Sequence, residues 1–406
     1  MSDHEIFSVK SASARLAFSG GELKTKESDA SKGYGVRALK DGRIGFGYCQ
    51  DEGDIQKAIE EAEKLSRFSV RSGFSFAPKA GFSRLDLADQ SFITPDFEML
   101  KSYVDDSRSP IEKKGGKARV ICSIDSSEIS VENSAGFSGS YPKTVFSVYA
   151  ECMHGDGFGY SYLTSHNTPG DLNALGEKAA DMAISMQSAG RPESGEYTVV
   201  MEPEALDNLI ETLLPSLSGD WKRRGITRLR SGMKLHESLT ICEDGLSPGI
   251  GARPFDDEGT PTEKRSLIEN GTVKSFLYDR ETAALEGSGA SGCCTRPSYD
   301  SPPSISASNI VVSPGDWKDL GELERYIELH YAHGSHTANL TSGDIGLEAS
   351  AAFLVEKGKR KPIKGFMVSG NVFDIFSNIA GIESVPRVYG SLISPRIAFA
   401  GLKVVS

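Results

Sequence analysis

The sequence predicts an α+β protein, with small N-terminal sheet-and-helix units followed by a large, mainly antiparallel β C-terminal domain. Three observations predict it. Asp41-Gly42 separates the runs Tyr34–Lys40 and Arg43–Cys49, as a two-residue β-hairpin turn requires. Apolar stripes at helical spacing begin just after Asp54 and Asp171, and each aspartate is a residue type that caps a first turn. After Leu214 helical spacing nearly vanishes, and hairpin signals such as Asn270-Gly271 and Lys357-Gly358 take over.

The first unit, residues 1–75, reads strand, strand, helix, with Ile55, Ala58, Ile59, Ala62 and Leu65 on one helix face. Residues 72–96 carry Gly, Pro and Ser without periodicity and read as a connector. The second unit, 96–190, opens with a helix presenting Phe97, Leu100, Tyr103 and Val104. Strands Ala118–Ile124, Ser127–Glu132 and Thr144–Glu151 follow, with Asn133-Ser134-Ala135-Gly136 as the turn between the last two. A helix from Asp171 to about Ala189 then buries Leu172, Leu175, Ala179, Met182, Ala183 and Met186. The third unit, 197–406, is mainly β. Beyond Leu214 only Asp319–Leu329 and the short Val372–Ile379 read as helices.

The chain has 406 residues and a formal charge of −11, which disfavours general binding to nucleic acid or anionic membranes. No apolar run approaches the ~20 residues of a membrane helix, and MSDHEIFSVK lacks a signal pattern, so a cytoplasmic protein is expected. Cys49, Cys122, Cys152, Cys242, Cys293 and Cys294 show no CxxC spacing and read as free thiols.

The stretch Tyr197–Gly219 is the most informative. It reads as a short strand running into a helix with Pro203 at its first position, followed by Ala205, Leu206, Leu209, Ile210, Leu213 and Leu214 at i, i+3, i+4, i+7 spacing. A zinc peptidase commonly sets two histidines one turn apart on such a helix. This window contains none.

Four collinear motifs carry a resemblance that covers nearly the whole chain: GYGVRALKDGRIGFGY (33–48), ENSAGF (132–137), RPFDDEGTPTEKRSLIENG (253–271) and TSGDIGLEASAAFLVEKGKRKPIKGFMVSGN (341–371). Together they are similar to the TldD/PmbA family, once called modulators of DNA gyrase. The resemblance implies a cytoplasmic TldD–TldE peptidase that cuts unfolded or leader-type peptides in a shared internal cavity. One branch supplies zinc through an HExxxH helix and a later cysteine. The TldE/PmbA-like branch keeps the fold without those ligands, and EPEALDNLIETLLPSLSG resembles that branch. No family metal ligand can be carried onto a position here, so zinc is expected in a TldD-like partner and not in this chain. The expected assembly is a heterodimer with that partner, or a homodimer.

His330, His333 and His336 could ligate a metal if the backbone bends suitably, with Glu328 the nearest carboxylate in sequence. The preferred reading is a polar loop at the lip of the cavity. His236-Glu237 is a chance dipeptide. Asp256, Asp257 and Glu258 form the densest acid cluster, a candidate for substrate binding or for acid/base work, though architecture around the cavity is the simpler account. Lys222, Arg223, Arg224, Arg228, Arg230 and Lys234 crowd one stretch that reads as a solvated or subunit-facing loop. Ser342, Gly343 and Asp344 begin a strand whose edge could pair with an extended peptide. Three readings follow: a TldE/PmbA-type subunit, an independent metallopeptidase using His330/His333/His336, or a homodimeric peptide-binding protein.

Overall fold

The computed structural model describes residues 3–168, 170–317 and 323–406. Its N-terminal half is built on one antiparallel six-stranded sheet, with strands β1 (Asp3–Ser19), β2 (Glu22–Lys40), β3 (Arg43–Cys49), β4 (Lys117–Asn133), β5 (Ser138–His154) and β6 (Gly157–Ser165). The spatial order is β3-β2-β1-β4-β5-β6, so the sheet runs unbroken through residues expected as two separate sets of strands. Strand β3 and the second half of β2 are where the hairpin signal places them, whereas β1 is an additional strand. Residues 22–32 of β2 are almost wholly exposed and polar, which leaves no alternation to read. The segments Ala118–Ile124 and Ser127–Glu132 are one continuous strand, and β6 carried no recognised signal.

Helix α1 (Ile55–Ser66) covers β2 and β3, while α2 (Phe97–Lys113) and α3 (Leu172–Ser185) cover β4–β6. Asp96 and Asp171 cap α2 and α3 by accepting hydrogen bonds from first-turn amides. Asp54 stands at the head of α1 without a side-chain cap bond. Leu100, Val104, Ile111, Val120, Phe146, Val148, Leu172 and Ala179 fill the core beneath α2 and α3.

In the C-terminal half, β7 (Gly195–Met201) pairs in parallel with the strand Arg325–His333 and antiparallel with Ile397–Val405. Phe366–Asn371 and Asp344–Glu356 complete the circuit, because Asp344–Glu356 also pairs with Arg325–His333 and closes the sheet on itself. A second sheet contains Ile241–Asp244, Lys264–Glu269 and Ile310–Val312. The helix expected over Asp319–Leu329 is corrected. Residues 318–322 lie outside the described residues, and Arg325 onward is strand. Its backbone is hydrogen-bonded to neighbours on both sides, and those ladders override local helix propensity. Val372–Ile375 is a short helix, as expected.

Helix α4 (Pro203–Leu213) follows β7 directly. Ala205, Leu206, Leu209, Ile210 and Leu213 are each at most 2% exposed in the C-terminal core, which accounts for the spacing read in sequence. Tyr160 and Met186 of the N-terminal half pack with Val200, Tyr331, Ala351, Phe353 and Ala398 of the C-terminal half, and this apolar seam holds α4 beside the β6 edge.

Candidate functional site

The face of α4 opposite its buried stripe carries Glu204, Asp207, Asn208 and Glu211, again at i, i+3, i+4, i+7. These four side chains floor a pocket of about 370 Å³ at the junction of the two halves. Tyr149 on β5, Tyr160 and Tyr162 on β6, and Tyr389 line it from elsewhere, together with Ala332 and His333. The rings associate in pairs, Tyr149 with Tyr160 at 5.2 Å between centroids and Tyr162 with Tyr389 at 5.7 Å. Tyr160 also stacks on Tyr331 at 3.9 Å, which ties the wall to the apolar seam.

The polar groups divide into committed and free. Asn208 Nδ2 donates to the Ala332 carbonyl at 3.2 Å, and Glu211 accepts from Ser335 Oγ at 2.9 Å. Glu204 and Asp207 have no side-chain hydrogen bond or ion pair among the described residues. Burial pushes the Glu204 carboxyl up to about 6, opposed by Lys178 and His330. Burial, reinforced by Glu211, pushes Asp207 up to about 7. Burial and the charge of Glu204 hold the Tyr160 and Tyr389 phenols well above their ordinary range. The pocket is thus a half-buried, electronegative recess with aromatic walls.

The histidines singled out in sequence do not assemble. His330 sits within the strand beside Glu328, with Nε2 and Oε1 at 3.1 Å, whereas His333 reaches the pocket and His336 lies in an exposed turn. The shared three-histidine metal site is therefore corrected: a strand followed by a turn directs the side chains apart.

A different set, Glu202, Glu328 and His330, brings its ligand atoms within 4.8 Å of one another. It does not fit a zinc ion. Arg360 Nε lies 3.1 Å from Glu328, Arg396 Nη1 lies 3.4 Å from both Glu202 and Glu328, and Arg387 Nη1 lies 3.2 Å from Glu202. Three permanently charged guanidiniums already occupy these carboxylates and would repel a dication.

The other candidates lie elsewhere. Asp256 is fully buried and accepts from the amides of Glu258, Thr260 and Cys294, while Asp257 accepts from the Arg296 amide. Glu258 binds Arg37 Nη1 at 2.6 Å and accepts from the Arg280 amide. The triad is joined to the N-terminal sheet from within and presents no open face to a substrate. Ser342 is half-buried and Asp344 exposed, and they bond to each other, to Asn371 and to Arg228 through the Ser342 carbonyl. Gly343 takes φ +84° against the Phe373 ring. The strand that begins there pairs with Phe366–Asn371 along one side from Asp344, while on its other side Arg325–His333 pairs with it only from Glu348 onward. In the basic stretch, Lys222 pairs with Glu286, Arg223 and Arg224 pair with Asp220, and Arg228 rests on Phe373. All six cysteines are free, and no helix among the described residues is long and apolar enough to cross a membrane.

Comparison with known proteins gives the class. Residues 4–66, 97–187 and 194–406 match, in that order, domain 1, the central domain and the C-terminal domain of the PmbA/TldA metallopeptidases. The chain belongs to the PmbA/TldD family. It is 29% identical to an uncharacterized protein of Methanocaldococcus jannaschii, over 98% of this chain and 95% of that one. It is 25% identical to a metalloprotease of Methanothermobacter thermautotrophicus, over 94% of this chain and 87% of the other. The crystal structure of TldE from Thermococcus kodakarensis superposes with a TM-score of 0.89 at 23% identity, covering 100% of this chain and 97% of that one, a likeness of fold.

Proposed function

We propose that this chain is a TldE/PmbA-type subunit that handles peptide in a TldD/TldE metallopeptidase without holding the catalytic zinc itself. One observation carries the reading. The pocket-facing stripe of α4 is Glu204, Asp207, Asn208 and Glu211, so the helix that would bear zinc-binding histidines offers carboxylates and an amide instead. The guanidinium-filled Glu202–Glu328–His330 set supports the same view. The zinc, its water and the general base would come from a TldD-like partner, and the chemistry zinc supplies there is polarisation of the scissile carbonyl and activation of water. This chain would help enclose and orient unfolded or leader-type peptide in the cytoplasm.

The test is metal content and hydrolysis, measured on the chain alone and after mixing with a TldD-like chain. The reading expects no retained zinc and no cleavage alone, with a heterodimer and chelator-sensitive cleavage on mixing. One tightly held zinc and robust cleavage by this chain alone would overturn it. A persistent homodimer that binds peptide and ignores the partner would favour a holding protein.

A further inference from the structure

We infer that the tyrosine-walled pocket binds an alkylammonium group of a peptide, either its N-terminal amine or a lysine side chain. The inference rests on the peptide-handling reading above and assigns that reading a ligand chemistry.

Two observations converge. The recess is lined by four tyrosine rings drawn from β5, β6 and residue 389, and electron-rich rings around a small cavity attract organic cations. Its floor carries Glu204 and Asp207, two carboxylates with no internal partner, although the neighbouring Asn208 and Glu211 are both satisfied. Both side chains are half-buried, so water reaches them only in part, and a cation entering the recess would supply the counter-charge and donors that the protein does not.

The geometry also selects among cations. The only described group whose ligand atoms converge within 4.8 Å is Glu202, Glu328 and His330, so Glu204, Asp207 and Glu211 do not close around a single metal ion. A tapered organic cation with several donors can satisfy separated acceptors that a metal ion cannot. Anions are excluded by the carboxylates, and a purely apolar group would bury them unpaired. The pocket volume of about 370 Å³ suits one side chain or chain terminus. No lysine or arginine is among the described residues that line the recess, and His333 stands at its exposed rim.

The test uses the full chain and three versions of one short unstructured peptide, titrated by calorimetry at pH 8. The first is lysine-free with a free amino terminus, the second is the same peptide N-acetylated, and the third is N-acetylated with one lysine added. The inference expects acetylation to weaken binding about tenfold or more. If lysine restores it, the side chain is an accepted source, and if not, the amino terminus is the source. Asp207→Asn and Glu204→Gln should each weaken the free-amine peptide severalfold and leave the acetylated lysine-free peptide unchanged. Thermal melts of the variants check folding. Equal affinity for all three peptides, or binding of none, overturns the inference. The subunit reading is judged separately by zinc content and partner binding, so the two can fail independently.

Discussion

Glu5 on β1 and Arg296 in the C-terminal half meet at 2.9 Å with neither side chain exposed. Arg37 on β2 grips the same carboxylate through Nε and Nη2, and its Nη1 reaches Glu258 at 2.6 Å. Two carboxylates and two guanidiniums thus rivet the N-terminal sheet to the acid motif at 256–258. The desolvation cost of such charges is recovered only while every partner is present.

Glu5→Gln should therefore destabilise the protein by about 3–5 kcal/mol, because it leaves Arg37 and Arg296 buried against a neutral amide. Chemical denaturation measures the loss. A change within about 0.5 kcal/mol, the scale of an ordinary surface substitution, would show that the network is not what joins the two halves.

A second prediction concerns the glycines of the GYGVRALKDGRIGFGY motif. A Cβ on Gly45 would stand 1.7 Å from the Ala62 carbonyl of α1, and one on Gly47 would stand 2.6 Å from that of Ala58. These glycines let α1 lie directly on β3. Gly45→Ala should lift the helix and cost about 1–3 kcal/mol or more. Gly53→Ala, where a Cβ meets nothing within 4 Å, is the matched control and should melt like the parent.

These contacts show how much of the molecule the sequence made legible. The buried face of α4 could be read directly, since Ala205, Leu206, Leu209, Ile210 and Leu213 are all core. The polar stripe Glu204, Asp207, Asn208 and Glu211 is equally periodic, yet acids and amides at that spacing are what any solvated helix face carries. Its partners were beyond reach: Tyr149, Tyr160, Tyr162 and Tyr389 come from strands far away in the chain. Long-range pairing also hid the role of the acid motif, since Glu258 meets Arg37 across 221 residues. Strand β1 was missed because its mixed side chains and polar partner β2 give little alternation, and only its register with β2 and β4 defines it.

The free carboxylates should also shape the pH dependence of stability. Asp207 rises from an ordinary 3.8 to about 7 in the folded chain, and burial is the main cause. The folded state then holds a proton that the unfolded state has released, so stability falls as pH rises from about 4 through about 7 and levels off above. Glu204, raised from 4.5 to about 6, adds a smaller term of the same sign between those values. Lys178, His330, Glu202 and Glu211 are the charged or titratable groups acting on the pair. Asp207→Asn should stabilise the protein by on the order of 1 kcal/mol at pH 8 and have no effect near pH 4. Melting curves across this range decide it, and an unchanged slope in the variant would reassign the pH dependence elsewhere.

The last prediction turns on Arg396, whose guanidinium bridges Glu202, Glu328 and Glu383. Burial lowers its pKa, but the carboxylates more than offset this and raise it overall, as expected of a cation held among anions. Arg396→Met keeps the aliphatic stem and removes the charge, leaving the carboxylates to repel one another at a cost of about 2–4 kcal/mol. The variant also withdraws one of the guanidiniums that keep a dication from Glu202, Glu328 and His330. The parent should melt at the same temperature with or without micromolar zinc, whereas Arg396→Met should regain part of its lost stability when zinc is added, since a ligand of the folded state stabilises it by mass action. Adding His330→Ala to the variant should abolish that recovery. A zinc response in the parent equal to that of the variant would mean that the arginines do not exclude metal, and that this set is open to it in the native chain.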